Sequence, residues 1–368
     1  MSFEALNRFM AQEVPSARIP GCDLLIYHHG KLVFRRQYGF CDYLNTEPAG
    51  THSYYYLYSC TKILTCAGLM HLAEQGKISL DDPLEKYIPA FGQVRLTTGE
   101  KPKQPILLRH CFAMTSGMNY NLKTPAILEV LRKNPNGSAL EVAGAIAQTP
   151  LGSEPGTRYC YSASHDVLAA VAEAVTGERF SEYIRKWAFE PLGLRHLFFH
   201  PTEETRRNMA APYVLEKDIL KPAAMDNSYI LSPNYDSGGA GLIARAEDYA
   251  QFLAALSVGG KGLLRPETIE LMKEGQQSAE SLRDFQTSKR FAPYTYALGV
   301  RSLLYPERTC GRIPIGEFGW DGAAGSYALV DTTNELAIFY AQHVRGCGYA
   351  YDVLHPEIRD RVYEELGL

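Results

Sequence analysis

The stretch Tyr58-Ser59-Cys60-Thr61-Lys62 opens an apolar segment that carries Ile63, Leu64, Ala67, Leu69, Met70, Leu72 and Ala73. The apolar spacing mixes three and four residues, which predicts a buried amphipathic helix rather than a strand. Gly76 marks its end, with Lys77 beside it. Such a helix must be wrapped by other elements, so it constrains everything else in the chain. Ser59 falls at its N-terminus, where unpaired N–H groups and the positive dipole end favour developing negative charge. Lys62 follows three residues later, so both side chains share one face. A serine hydroxyl is a poor nucleophile at neutral pH and needs a neighbour to take its proton. A lysine can do so where burial lowers its pKa. The plainer alternative is a capping serine followed by a solvated lysine, because Ser-x-x-Lys is common by chance.

The chain has 368 residues, 46% apolar and 21% charged, with a net charge of −4. That length supports a large core in one domain or two intimate ones, and the charge gives no reason to expect a nucleic-acid partner. No apolar stretch is long enough to span a bilayer. The first residues lack a basic start followed by an apolar core, so a cytoplasmic location is expected. The eight cysteines, Cys22, Cys41, Cys60, Cys66, Cys111, Cys160, Cys310 and Cys347, have no metal-ligand spacing. They read as free thiols, with no metal and no cofactor implied.

Along the chain, a helix is expected over residues 3–13, with Phe3, Leu6, Phe9 and Met10 on one face and Pro15 and Pro20 ending it. Two β-prone runs, 22–27 and 32–38, flank His29-Gly30 and predict a hairpin. The aromatic run from Tyr54 to Tyr58 suits either a substrate pocket or ordinary core. Residues 95–105 and 274–293 are polar and read as exposed loops. Helical patterns near 126–132, 138–148, 165–175 and 181–189 dominate the middle, and Ser237-Gly238-Gly239-Ala240-Gly241 precedes another at 246–256. Strand patterns return at 296–303, 326–331 and 335–342, before a closing helix near 355–366. The fold class expected is α/β of the α+β kind. A mainly antiparallel sheet is built from both ends of the chain, residues 1–82 and 285–368, and flanked by helices. A mainly helical domain, residues 83–284, is inserted, with the active site between the two.

Two further stretches carry chemistry. Pro155-Gly156 precedes Tyr161-Ser162-Ala163 and a helix. A phenol on such a loop can shuttle a proton when a cation is near; the alternative is packing, in a chain with 24 tyrosines. Gly319-Trp320-Asp321-Gly322-Ala323 opens the last strand pair, where small residues let a substrate approach the backbone. The N–H of Ala323, on an edge strand, could join that of Ser59 as an oxyanion hole. The alternative is a glycine-shaped turn.

Together with Ile19-Pro20-Gly21, the run from Gly76 to Pro83, Thr115-Ser116-Gly117 and the 237–242 glycines, these motifs resemble the serine hydrolases of the β-lactamase fold. That group includes class C β-lactamases, D-alanyl-D-alanine peptidases and esterase relatives, and the resemblance spans nearly the whole chain. It implies Ser59 as nucleophile, with Lys62 and Tyr161 as a coupled proton-transfer pair whose division of labour stays open. It also implies the N–H groups of Ser59 and Ala323 as oxyanion hole, and Tyr58, Ala163, Trp320, Asp321 and Gly322 as substrate contacts. Two departures matter. Ala163 stands where the β-lactamases carry Asn after Tyr-x. Trp320-Asp321 stands where their Lys-Thr-Gly lysine attracts a carboxylate, and Trp-x-Gly is common among the esterases. If Asp321 faces the pocket it repels anions, and if it points away the attraction is missing, so small neutral acyl esters are expected. Alternatives are a β-lactamase or D-amino-acid peptidase, an acyltransferase, and a binding module that keeps the fold without catalysis.

Overall fold

The computed structural model describes residues 3–309 and 312–368. Thirteen strands are found among them: β1 Gly21–His28, β2 Lys31–Gly39, β3 Tyr54–Tyr56, β4 Leu197–Phe198, β5 Tyr213–Glu216, β6 Ile219–Pro222, β7 Ile243–Arg245, β8 Tyr294–Tyr296, β9 Arg301–Leu303, β10 Phe318–Asp321, β11 Tyr327–Asp331, β12 Leu336–Gln342 and β13 Val344–Arg345. Seven of them form one sheet in the order β2-β1-β12-β11-β10-β9-β8. Every neighbouring pair in it is antiparallel. The sheet thus joins strands from both ends of the chain, as the sequence pattern implies, and β1 lies against β12 with Leu25 opposite Phe339.

The helix expected after Ser59 runs Thr61–Glu74. It differs from expectation in being buried nearly all round, from Thr61 to Met70, rather than along one stripe. It packs between β10, the helix Ser164–Thr176 and the helix Pro266–Lys273. A helix enclosed on all sides needs apolar residues on all sides. Ala67 and Gly68 keep it slim, and a Cβ at Gly68 would sit 2.7 Å from Ile184 Cδ1. The helix Ala246–Ser257 lies across β1, β11 and β12 on the sheet.

The middle of the chain contains the helices Pro125–Lys133, Ala139–Ile146, Ser164–Thr176 and Phe180–Ile184. Ser138 caps the second, its Oγ accepting from Glu141 N at 3.2 Å. Three local readings are corrected. The first helix runs Glu4–Ser16, with Pro15 inside its last turn. There proline removes one N–H and crowds the turn before it, and the helix ends one residue later. Residues 296–303 are two strands, β8 and β9, separated by a turn in which Ala297 N donates to Val300 O at 2.8 Å. Residues 274–293 are not simply an exposed loop: they include the helix Ala279–Phe285 and a 3-10 turn, Lys289–Phe291. Seven cysteines are free thiols, and Cys310 lies outside the described residues.

Candidate active site

Ser59 is placed by a strand-to-helix elbow. β3 pairs antiparallel with β7, and Leu57 N donates to Leu242 O at 2.9 Å. The chain then reverses within one 3-10 turn, Tyr58–Cys60, and enters the helix at Thr61. Tyr58 takes φ 45°, in the left-handed region. For a bulky residue that costs about 1–3 kcal/mol and must be held by its surroundings. Thr61 Oγ1 supplies part of the hold: it donates to Tyr58 O at 2.6 Å and accepts from Leu242 N at 3.0 Å. Tyr249 Oη adds a bond to Cys60 O at 2.6 Å.

Lys62 is fully buried. Its Nζ donates to Gly239 O at 2.6 Å and to Ser59 Oγ at 3.3 Å. It also lies 4.7 Å from the Tyr161 ring centroid and 5.3 Å from that of Tyr120, within cation–π range. Burial, with the charge of Lys62 adding to it, holds the neighbouring His165 down at about 3, so that imidazole is neutral near pH 7. Tyr161 Oη donates to Ser59 Oγ at 2.6 Å and accepts from Trp320 Nε1 at 3.3 Å. The Tyr161 and Trp320 rings stack at 5.9 Å. One hydroxyl oxygen, Ser59 Oγ, is therefore met by a lysine Nζ and a phenol, the phenol itself held by an indole N–H.

The carbonyl that receives Lys62 is itself held in place. Asp166 Oδ1 accepts from Ser237 Oγ at 2.6 Å and from Gly239 N at 3.2 Å. Thr65 Oγ1, one turn beyond Lys62, donates to Gly238 O at 2.7 Å. Glycine is required at 239 by space: a Cβ there would lie 2.4 Å from Asp166 Oδ2. Asp166 and the 237–239 segment were not among the site residues expected from sequence, although the 237–242 glycines stood among its motifs.

The site opens into a cavity of about 700 Å³. Ser59, Tyr161, Trp320, Asp321, Gly322 and Ala323 all line it. Tyr58 and Ala163 do not. Tyr58 is buried against Tyr56 and Tyr229, and Ala163 is buried ahead of the helix Ser164–Thr176, its N–H on Asn119 O. Residues missing from the sequence reading supply one wall: Phe285 and Phe291 stack on Trp320 at 6.4 and 5.5 Å. The only hint of that wall was two phenylalanines in a polar stretch.

Ala323 stands in a turn, not on an edge strand. β10 is an inner strand paired with β11 on one side, and with β9 only at Phe318 and Gly319 on the other. Beyond Gly319 no strand pairs on that second side, and Cys60 Sγ donates to Trp320 O at 3.5 Å. The turn is closed by Gly325 N on Gly322 O, 2.9 Å, and Tyr351 Oη also donates to Gly322 O, at 2.8 Å. Gly322 lies so close to the elbow that a Cβ would be 2.3 Å from Leu57 O. The N–H groups of Ser59 and Ala323 have no protein acceptor among the described residues.

Asp321 faces the cavity, but its charge is matched. Arg301 Nη1 donates to Asp321 Oδ1 at 3.1 Å, and Arg290 Nη1 lies 3.9 Å from Asp321 Oδ2. The repulsion of anions that the sequence suggested is thereby cancelled. Among the described residues no group of three His, Cys, Asp or Glu side chains could hold a metal ion, and no helix is long and apolar enough to cross a membrane.

This fold and this serine define a serine hydrolase. The beta-lactamase family description matches residues 6–346, and the chain belongs to that family. It is 28% identical to esterase EstB of Burkholderia gladioli, over 97% of this chain and 94% of the relative. Among solved structures it superposes on EstCE1, described as a hydrolase with promiscuous acyltransferase activity, with TM-score 0.82, 25% identity and 98% of each chain covered. It shares its fold with simvastatin synthase (LovD) of Aspergillus terreus, in its LovD6 mutant form, at TM-score 0.82 and 19% identity, over 99% of this chain and 97% of the other. The family thus has esterase and acyltransferase members.

Proposed function

We propose that this enzyme is a carboxylesterase acting through an acyl-enzyme on Ser59. The observation that carries the reading is the placement of Tyr161 Oη and Lys62 Nζ, 2.6 and 3.3 Å from Ser59 Oγ, at the edge of an aromatic-walled cavity. Ser59 Oγ attacks the ester carbonyl while its proton passes to whichever member of the Lys62–Tyr161 pair is deprotonated, as free amine or phenolate. The carbonyl oxygen, now an anion, is received by the N–H groups of Ser59 and Ala323. Collapse of the intermediate breaks the C–O bond, and the departing alkoxide takes the proton back from the same pair. Water then attacks the acyl-enzyme by the reverse assignment of acid and base, releasing the carboxylic acid. Trp320, Phe285 and Phe291 form an apolar surface suited to a small, uncharged acyl group. Trp320 in place of a lysine, and Ala163 in place of an asparagine, favour simple esters over β-lactams. An alcohol in place of water would give acyl transfer, a reading supported by the acyltransferase activity attributed to EstCE1.

The test pairs labelling with turnover. A fluorophosphonate should modify Ser59, located by peptide mass spectrometry, and Ser59→Ala should abolish both labelling and hydrolysis of p-nitrophenyl butyrate while remaining folded. Retention of more than a few per cent of turnover by that variant would refute the assignment. A higher kcat/KM for nitrocefin than for the ester would replace the esterase reading with a β-lactamase.

A further inference from the structure

Beside the active-site cavity lies a second one of about 560 Å³. The two share the walls formed by Ser288, Arg290, Phe291, Asp321 and Tyr351. The second has a different character. Its lining includes five permanent cations, Lys289, Arg290, Arg301, Arg308 and Arg359. Against them stand two lining carboxylates, Asp321 and Asp352.

The cations divide into floor and rim. Arg301 and Arg359 are buried. Arg301 is engaged with Asp321 at 3.1 Å and lies 3.8 Å from Glu317. Arg359 is engaged with Asp360 at 2.7 Å and with Tyr294 Oη, also at 2.7 Å. The rim cations are less committed. Arg290 has only the 3.9 Å approach to Asp321 and lies over the Phe291 and Tyr351 rings. Arg308 bonds a backbone carbonyl, Ala292 O, at 2.8 Å and lies over the Tyr305 ring. Neither Lys289 nor Arg308 has a carboxylate within 4.0 Å among the described residues. The floor also holds an unused polar atom. His355 is buried, its Nε2 bonds Gly325 O at 3.1 Å, and its Nδ1 has no hydrogen bond among the described residues, with Asp321 Oδ1 3.8 Å away. Guanidinium groups with spare donors, lining a recess from buried floor to exposed rim, are suited to phosphate and carboxylate oxygens.

We infer that this chamber is an anion subsite, and that the enzyme's substrate is an ester bearing a carboxylate or phosphate monoester at the end remote from the scissile bond. This rests on the esterase reading above and extends it. The reacting acyl carbonyl stays in the neutral aromatic cavity at Ser59. The chain of the substrate then passes Arg290 and Phe291, and its anionic end exchanges water for Arg308, Lys289 and the floor arginines.

Matched ester pairs test this. In each pair one member ends in a methyl group and the other in a carboxylate or a phosphate monoester. One set carries that ending on the acyl chain and another on the alcohol, each with spacers of increasing length. The wild-type enzyme should prefer the anionic member of at least one set in kcat/KM, through KM. Lys289→Gln with Arg308→Gln should cut that preference roughly tenfold or more, the scale of a lost charge-assisted hydrogen bond. Lys289→Gln alone, an exposed change that leaves the Arg308–Ala292 bond intact, should cut it less. Equal treatment of both members in every set, or a preference the double variant keeps, overturns the inference. Inorganic phosphate titrated into the wild-type and double-variant proteins by calorimetry reads the chamber without turnover. Binding by the wild type that the variant weakens supports the subsite, and no binding by the wild type overturns it. Failure to hydrolyse any ester would overturn the esterase reading instead, with the phosphate titration still deciding the chamber.

Discussion

Lys62 Nζ bonds a hydroxyl and a carbonyl and lies over two aromatic rings. A buried lysine so placed is met by dipoles and π-faces, and it shares Ser59 with the Tyr161 phenol. Removing either partner should therefore disable one unit. Lys62→Ala and Tyr161→Phe are each expected to lower kcat by roughly 10²-fold or more. The double variant should lose much less than the product of the two; independent, multiplicative losses would show that they do not form one relay. Asp166 acts at one remove, through Gly239, on the position of Lys62. Asp166→Asn is expected to lower kcat by roughly 10- to 100-fold, the scale of a misplaced catalytic group, with KM nearly unchanged. A change in KM alone would mean the residue serves binding. The convergence of Ser59, Lys62 and Tyr161 was legible in the sequence because each stands beside or inside a helix start in a motif of recognisable residue types. Asp166 was not, because a buried carboxylate that bonds backbone has no spacing of its own to betray it. The pairing of Asp321 was not legible either: its partner Arg301 is twenty positions away in sequence and adjacent only across β9 and β10.

The elbow between β3 and the helix Thr61–Glu74 is the element on which the site turns. Its strained residue, Tyr58, is pinned by Thr61, while Gly322 from the β10 turn presses against Leu57 O. Gly322→Ala should push the two segments apart. It is expected to lower turnover of the ester well beyond tenfold and to lower Tm by a few degrees, about 1–3 kcal/mol for an overpacked contact. Wild-type activity in this variant, measured at saturating ester, would show that the contact is slack. The long periodic elements were readable because apolar spacing reports burial directly. The strands β1, β2, β11 and β12 and the closing helix His355–Leu366 were found within a residue or two. The stretch 274–293 was not, because its helix is short and its two phenylalanines, which pack on the core and line the cavity, stand in an otherwise polar run. The helix after Ser59 was identified but its burial underestimated, because the layer that covers its second face comes from residues far along the chain.

At the scale of the whole molecule, the site is assembled across long loops. Ser59 and Tyr161 are 102 positions apart, Tyr161 and Trp320 159 apart, and Lys62 and Gly239 177 apart. The sheet itself joins β1 to β12, so its closure also waits on the last third of the chain. Closing such loops is paid in chain entropy before the contacts return anything. Local helices carry no such delay. A chain diluted from denaturant is therefore expected to recover its far-ultraviolet helical signal before it recovers reactivity of Ser59 toward a fluorophosphonate, with Tyr161–Trp320 stacking reported by tryptophan fluorescence in the later phase. Simultaneous recovery of all three signals would contradict that order. The elbow at Tyr58 thus carries a temporal meaning: a residue held in the left-handed region by Thr61, Leu242 and Gly322 can be held only once all of those have arrived. A partly folded chain does not yet present Ser59 on that elbow.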